Sequence, residues 1–198
     1  YSKVPTSPGL TGREVAERML RDNGIYNVTV TCTPGALTDH YNPVERTANL
    51  SEPVYNTCSI AAAAVAAHEC GHAVQHACAY APLQMRSALV PVVSFASRWV
   101  QWVLLAGMVL IETFPSIMAL GVALFALTTL FSFVTLPVEI DASRRATRWL
   151  QTAGITTPAN HAMAVSALRS AAYTYVVAAL GSLDKLLYYA SFLLRYDD

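Results

Sequence analysis

A long stretch without charge most constrains how this chain can fold. Between Glu112 and Glu139 there is no charged residue, and between Arg86 and Glu112 the only charge is Arg98. A helix needs roughly 20 largely apolar residues to cross a bilayer, so each of these two stretches predicts a membrane span. Two fully buried core helices are the alternative, but a chain of 198 residues is too short to surround them with protein.

Composition agrees with a membrane protein and excludes one class of partner. Hydrophobic residues make up 54% of the chain and charged residues 13%, whereas charged residues are about a quarter of a typical soluble domain. The net charge is zero, so there is no electrostatic basis for binding nucleic acid. The lipid bilayer is therefore a predicted partner, and nucleic acid is not.

The distribution of positive charge predicts how the two spans are oriented. We place them near 88–111 and 115–136, joined by a tip at 112–116 that contains no Lys or Arg. Arg86 precedes the pair of spans, and three arginines follow it, namely Arg144, Arg145 and Arg148. By the positive-inside rule, both ends of this helical hairpin lie in the cytoplasm.

The second informative feature is the motif His68-Glu69-Cys70-Gly71-His72. Two histidines four residues apart lie about 40° apart around a helix, so both imidazoles can reach one metal ion. Glu69 can then accept a proton from a water molecule that the metal activates. The pattern is typical of a zinc hydrolase.

Local signals predict a small α+β region around this motif. Thr11 and Glu14 form a capping box that begins a helix ending near Asn23-Gly24. Extended segments are predicted at 28–32, 37–41 and 47–50, giving a sheet of two or three strands. The remaining predicted helices are Ile60 to about Tyr80 with Ser59 as N-cap, Pro137 to about Gln151, and one opened by Thr157-Pro158. The apolar 171–194 contains Asp184 and Lys185, so it either spans the membrane or lies at its surface.

A catalytic zinc site commonly has three protein ligands and one open position. Glu139 is the best candidate for the third ligand, because it is the first charge beyond the uncharged stretch. Asp141 competes with it, but lies about 200° further around the same helix, so both cannot face one ion. Two membrane crossings between His72 and Glu139 return the chain to the side that it left, which fits the hairpin.

Several of these segments resemble the YugP-type bacterial membrane zinc metallopeptidases. The similarity covers nearly the whole chain and is carried by Leu37–Pro43, Leu50-Ser51, Ser59–Ala62, Ala67–Gln75 and Thr135–Ala146. The resemblance implies a zincin-like protease of the gluzincin kind in the bacterial inner membrane, with a further membrane helix ahead of Tyr1.

The arrangement is also similar to the HtpX and CAAX-protease group, in which the third ligand is the Glu of an E-x-x-A-D pattern. That Glu corresponds to Glu139 and its alanine to Ala142. Its Asp corresponds to Ser143, which is a departure. The hydrogen bond that this Asp would make must come here from Asp141, Ser143 or elsewhere.

The predicted fold class is a mainly α, multi-pass membrane protein whose zincin-like α+β catalytic part is interrupted by the membrane hairpin. Four parts are expected: residues 1–86 and 137–170 for the catalytic domain, 87–136 for the hairpin, and 171–198 for an apolar helix.

The predicted function is hydrolysis of peptide bonds by a zinc endopeptidase at the cytoplasmic membrane surface. Its ligands would be His68, His72 and Glu139, its general base Glu69, and its partner a protein or peptide substrate. His40 is a candidate for stabilising the transition state, with a turn histidine as the alternative. His76 and His161 are expected to be structural, and Tyr173 is expected at the membrane belt.

Two other functions stay open from the sequence. A non-catalytic membrane adaptor would carry a closed metal shell of four ligands, which does not need Glu69. A zinc hydrolase acting on lipid amides would share the same site.

Overall fold

The computed structural model describes residues 1–196, which are mostly helical. These residues form two compact units. The first comprises Tyr1–Tyr80 and Val138–Tyr173, and the second comprises Ala81–Pro137 and the chain from Thr174 onward.

The first unit contains a three-stranded sheet and most of the short elements. They are α1 (Gly12–Asp22), β1 (Thr29–Thr33), β2 (His40–Asn42), β3 (Thr47–Ser51), α2 (Glu52–Asn56) and α3 (Ile60–Ala77). The strand order is β1-β3-β2, with β1 parallel and β2 antiparallel to β3. The small sheet predicted ahead of the motif is confirmed, and β1 and β2 are its two edges.

Capping signals in the sequence begin two helices of this unit. The Thr11 side chain accepts from the Glu14 backbone N–H, and the Glu14 carboxylate accepts from the Thr11 N–H, which confirms the capping box of α1. Ser59 caps α3 by accepting from the Ala62 N–H at 3.1 Å. Both caps satisfy donors that the first turn of a helix leaves unpaired.

Alanine-rich α3 lies at the centre of the first unit. Its apolar side chains pack against the buried face of α1, including Val15 and Met19, and against Leu50 of β3. Small side chains allow this close packing because they keep helix propensity high and occupy little space.

Long helices make up the second unit, and two of them include residues of the first unit. They are α4 (Ala81–Val109), α5 (Pro115–Thr152) and α6 (His161–Tyr196), and each is long and apolar enough to cross a membrane. In the most apolar window of each, 22% or less of the residues are buried within the protein. The alternative of two fully buried core helices is therefore wrong.

Within the second unit, α4 and α5 approach closely at two glycines. A Cβ atom built at Gly107 would lie 2.7 Å from Met118 Cα, and one built at Gly121 would lie 2.9 Å from Leu104 Cδ2. Close backbone approach at small residues is the usual way that helices associate where lipid removes the hydrophobic driving force.

Two predicted helix starts are wrong. Pro137 does not begin a helix but lies inside the continuous α5. Proline removes one backbone hydrogen bond, which a helix tolerates when neighbouring groups compensate for it. The last helix begins at His161 rather than at Thr157-Pro158, because the Asn160 side chain accepts from the Thr157 N–H and holds residues 157–160 in a turn.

Candidate metal centre

His68 and His72 present their rings on one face of α3. Their ring centroids are 4.8 Å apart with an interplanar angle of 85°. The four-residue spacing places the two side chains about one turn apart on the same helix face, which brings their rings close together. The side chains of His68 and His72 are 16% and 10% exposed, so both rings are largely shielded from solvent.

Glu139 of α5 completes a cluster with these two imidazoles. Its Oε2 lies 3.0 Å from His68 Nε2, and its Oε1 lies 3.5 Å from His72 Nε2. One ligand atom from each residue lies within 4.8 Å of the others. The residue is only 3% exposed, so a carboxylate and two ring nitrogens converge in a space that water reaches poorly.

The other nitrogen of each imidazole is held by a neutral side chain. His68 Nδ1 lies 3.0 Å from Ser143 Oγ, and His72 Nδ1 lies 2.9 Å from Gln75 Oε1. When Nδ1 donates its proton to such a partner, the Nε2 lone pair of a neutral ring is free to bind a metal. Both rings are therefore oriented with Nε2 toward Glu139.

Asp141 does not join the cluster. Its Oδ2 accepts from Gln75 Nε2 at 2.8 Å and from Arg145 Nε at 2.6 Å. Its position two residues after Glu139 turns it away from the two imidazoles, as helical geometry predicts.

Glu69 is buried beside the cluster and is 8% exposed. Burial raises the pKa of its carboxyl group, although His68 and His72 act in the opposite direction. Burial alone would lower the pKa of His72, but the hydrogen bond and attraction to Glu139 outweigh it and raise that pKa. In the metal-free site, the buried Glu69 carboxylate therefore binds a proton more readily than an exposed glutamate does.

His40, the candidate for stabilising a transition state, lies on β2, and each of its ring nitrogens contacts a neighbouring residue. Nδ1 lies 2.8 Å from the Thr38 carbonyl oxygen and Nε2 lies 3.3 Å from Asn49 Nδ2. The preceding Asp39 accepts from the backbone N–H of Ser51 at 2.8 Å. The structure does not bring His40 into the cluster of His68, His72 and Glu139.

The histidines predicted to be structural have hydrogen-bond partners of their own. His76 Nδ1 lies 2.8 Å from Tyr41 Oη, and His161 Nδ1 lies 2.8 Å from Thr156 Oγ1. Sequence reasoning assigned no role to Gln75, although it follows His72 by three residues and so lies on the same helix face. This three-residue spacing from His72 is the sequence feature that could have identified Gln75 as a partner of the site.

The donor set suits zinc. Zinc in catalytic sites is commonly held by three protein ligands from imidazole nitrogen and carboxylate oxygen, with one position left open. Here two Nε2 atoms and one buried carboxylate converge, and the hydrogen bonds to both Nδ1 atoms fix the ring orientation that such binding needs.

Comparisons with known proteins give a consistent result. Residues 1–194 match the sequence model of the family described as "Putative neutral zinc metallopeptidase". The chain is 43% identical over 198 residues to the "Putative membrane protease YugP" of Bacillus subtilis (strain 168), covering 100% of this chain and 87% of that protein. No solved structure matches the chain significantly.

Proposed function

This chain belongs to the neutral zinc metallopeptidase family, and on that premise we propose that it is an endopeptidase of the bacterial inner membrane that cleaves peptide bonds near the cytoplasmic surface. The observation that carries this proposal is the convergence of His68, His72 and Glu139 within 4.8 Å. The family's cofactor is zinc, and its substrates are peptides.

In this proposal His68, His72 and Glu139 hold the zinc ion. When bound, zinc polarises a substrate carbonyl and makes a water molecule more acidic. Glu69, the buried residue between the two histidines, accepts a proton from the attacking water and passes it to the leaving amine nitrogen. The position of Glu69 supports this role, because its buried carboxylate lies between the two proposed histidine ligands in the motif.

The catalytic part is proposed to be zincin-like and divided in sequence, with residues 1–86 and 137–170 on either side of a membrane hairpin at 87–136. Two candidate spans, α4 and α5, lie between His72 and Glu139 or lead into it. Two crossings would leave the proposed ligands on the same side of the bilayer, whereas one crossing would separate them. Arginines at both ends of the hairpin and none at its tip support a cytoplasmic site.

A purely structural metal site receives less support. Within residues 1–196, the donor cluster contains three residues, whereas a closed structural site needs four ligands. A structural site would also have no use for Glu69. The alternative of a lipid amide hydrolase is not favoured by the family, which is one of peptidases.

The decisive experiment compares zinc content and proteolysis for the purified full chain and E69Q. We expect E69Q to retain one zinc and to lose cleavage of unfolded casein by a factor on the order of 10²–10⁴, the usual contribution of a general base. E139Q should lose zinc and activity together, because it removes a charged ligand.

The matched control is E52Q, which makes the same change at an exposed glutamate on α2, outside the cluster. It should leave both zinc content and cleavage unchanged. Full cleavage by E69Q would refute the assigned base, and wild-type protein that binds no zinc would refute the metal centre. Cleavage of lipid amides but not of casein would favour the rival hydrolase.

We further propose that residues 37–50 bind the substrate by adding it as an extra strand to the sheet. Support comes from β2 (His40–Asn42), which is an edge strand, and extended peptides commonly pair with such edges. Peptides with single backbone N-methyl groups test this without altering the enzyme. Methylation near the scissile bond should lower kcat/KM at alternate residues, and no effect at any position would count against strand addition.

A further inference from the structure

Gln75 is a fully buried carboxamide at the centre of the first unit, with 0% exposure. Its Oε1 lies 2.9 Å from His72 Nδ1. Its Nε2 donates to the Val138 carbonyl oxygen at 2.9 Å and to Asp141 Oδ2 at 2.8 Å. Both amide hydrogens and the amide oxygen are therefore engaged.

This set of partners determines which way the carboxamide faces. A backbone carbonyl and a carboxylate can only accept, so the amide nitrogen must be the atom that faces Val138 and Asp141. The amide oxygen then necessarily faces His72. Because that oxygen can only accept, His72 Nδ1 must carry a proton, and the Nε2 of the neutral ring is left as the metal-binding atom.

The network continues to a charged pair. Asp141 accepts from Arg145 Nε at 2.6 Å, and the Arg145 guanidinium lies 5.6 Å from the centre of the Tyr80 ring. The side chains of Arg145 and Asp141 are 32% and 26% exposed. An anion that accepts from one end of an amide increases the negative charge on its oxygen, so the hydrogen bond to His72 is strengthened.

The same contacts join the elements that carry the proposed ligands. Val138 and Asp141 are the residues on either side of Glu139-Ile140, and both bind Gln75 on α3. The orientation of His72 and the position of Glu139 are thus set by one shared group of hydrogen bonds.

We propose that Gln75 is a positioning residue for His72 and that Asp141, held by Arg145, orients and polarises the Gln75 carboxamide. This inference rests on the proposed function, because it assigns His72 to the metal. It makes Asp141 a residue that acts on the site through Gln75 rather than a ligand.

The test measures metal binding by the metal-free full chain in detergent. Zinc affinity is obtained by competition with a chelator, and the visible spectrum of added cobalt reports the geometry of the site. We expect Q75M to weaken zinc binding by about 10–100-fold, the usual effect of losing a partner behind a ligand, and to alter the cobalt spectrum. The control Q151M changes an exposed glutamine on α5 and should match wild type.

A double-mutant cycle tests whether Asp141 acts on His72 through the hydrogen bonds of Gln75. D141N alone should weaken zinc binding, but by less than Q75M. In the Q75M background D141N should add little, because the path from Asp141 to His72 is already broken. A purely structural role for Asp141 would instead cost the same affinity in both backgrounds, and that result would overturn the assignment.

Each remaining outcome is also decisive. Unchanged affinity and spectrum for Q75M would overturn the role of Gln75. If Q75M does not fold, D141N and R145Q carry the test at partly exposed positions, and wild-type affinity in both would overturn the proposal. Wild-type protein that binds neither zinc nor cobalt would refute the proposed function itself, which is a distinguishable result.

Discussion

At the scale of single residues, the two imidazoles differ in what holds them. His72 is held by an amide connected to a carboxylate, whereas His68 Nδ1 meets the hydroxyl of Ser143 at 3.0 Å. A neutral hydroxyl is a weaker acceptor than a carboxylate, so Ser143 provides a hydrogen bond to His68 that carries less negative charge.

Substituting Ser143 should therefore change metal affinity in a graded way. S143A removes the acceptor, and we expect zinc affinity to fall by about 10-fold with folding unchanged. S143D supplies a stronger acceptor and should bind zinc at least as tightly as wild type. Chelator competition measures both, and equal affinities for wild type, S143A and S143D would show that the contact does not orient His68.

At the scale of elements, the site depends on how closely α3 approaches the residues around Ala142. A Cβ atom built at Gly71 would lie 2.7 Å from the Ala142 carbonyl oxygen and 3.2 Å from Ala142 Cα. Those neighbours are backbone atoms and cannot move aside as a flexible side chain would. Gly71, the fourth residue of the motif, thus permits the contact that brings Glu139 to the two histidines.

G71A should force the two elements apart. We expect destabilisation of about 1–3 kcal/mol, as for other overpacked sites, together with weaker zinc binding because the ligands separate. The control G181A changes another helical glycine, at which an added Cβ would meet nothing within 4 Å. Thermal unfolding with and without zinc measures both variants, and a G71A protein as stable as wild type would contradict the close approach.

At the scale of the whole molecule, the proposed function depends on which side of the membrane holds the three proposed ligands. Three helices are long and apolar enough to cross, and many large apolar side chains on them are exposed, including Trp102 at 69% and Val177 at 69%. Side chains of this kind are stable in contact with lipid rather than water. The charge pattern at the ends of 87–136 supports the cytoplasmic orientation in our proposal.

Cysteine labelling in spheroplasts tests that orientation. Cys32 and Cys58 are exposed free thiols of the first unit, so a membrane-impermeant maleimide should label them only after the membrane is permeabilised. A cysteine introduced at the tip by T113C, in a chain without other cysteines, should be labelled in intact spheroplasts. The reverse pattern would place the proposed site outside the cytoplasm.

The sequence by itself determined the features that depend on residues close together in the chain. The spacing of His68 and His72 places both rings on one face of α3, and Thr11 and Ser59 cap their helices through contacts three residues away. The uncharged stretch between Glu112 and Glu139 likewise predicts an apolar helix, which the structure contains. Such features are readable because helical periodicity and the cost of burying charge are local properties.

Tertiary structure decided the contacts between distant residues. Gln75 meets Asp141 across 66 positions of sequence, and His68 meets Ser143 across 75. The three-residue spacing places this glutamine on the same helix face as His72, but its partners Val138 and Asp141 are known only after folding. The same reason explains Pro137, where sequence predicts a helix start but α5 continues through it: the free energy of packing a long helix exceeds the local cost of one missing hydrogen bond.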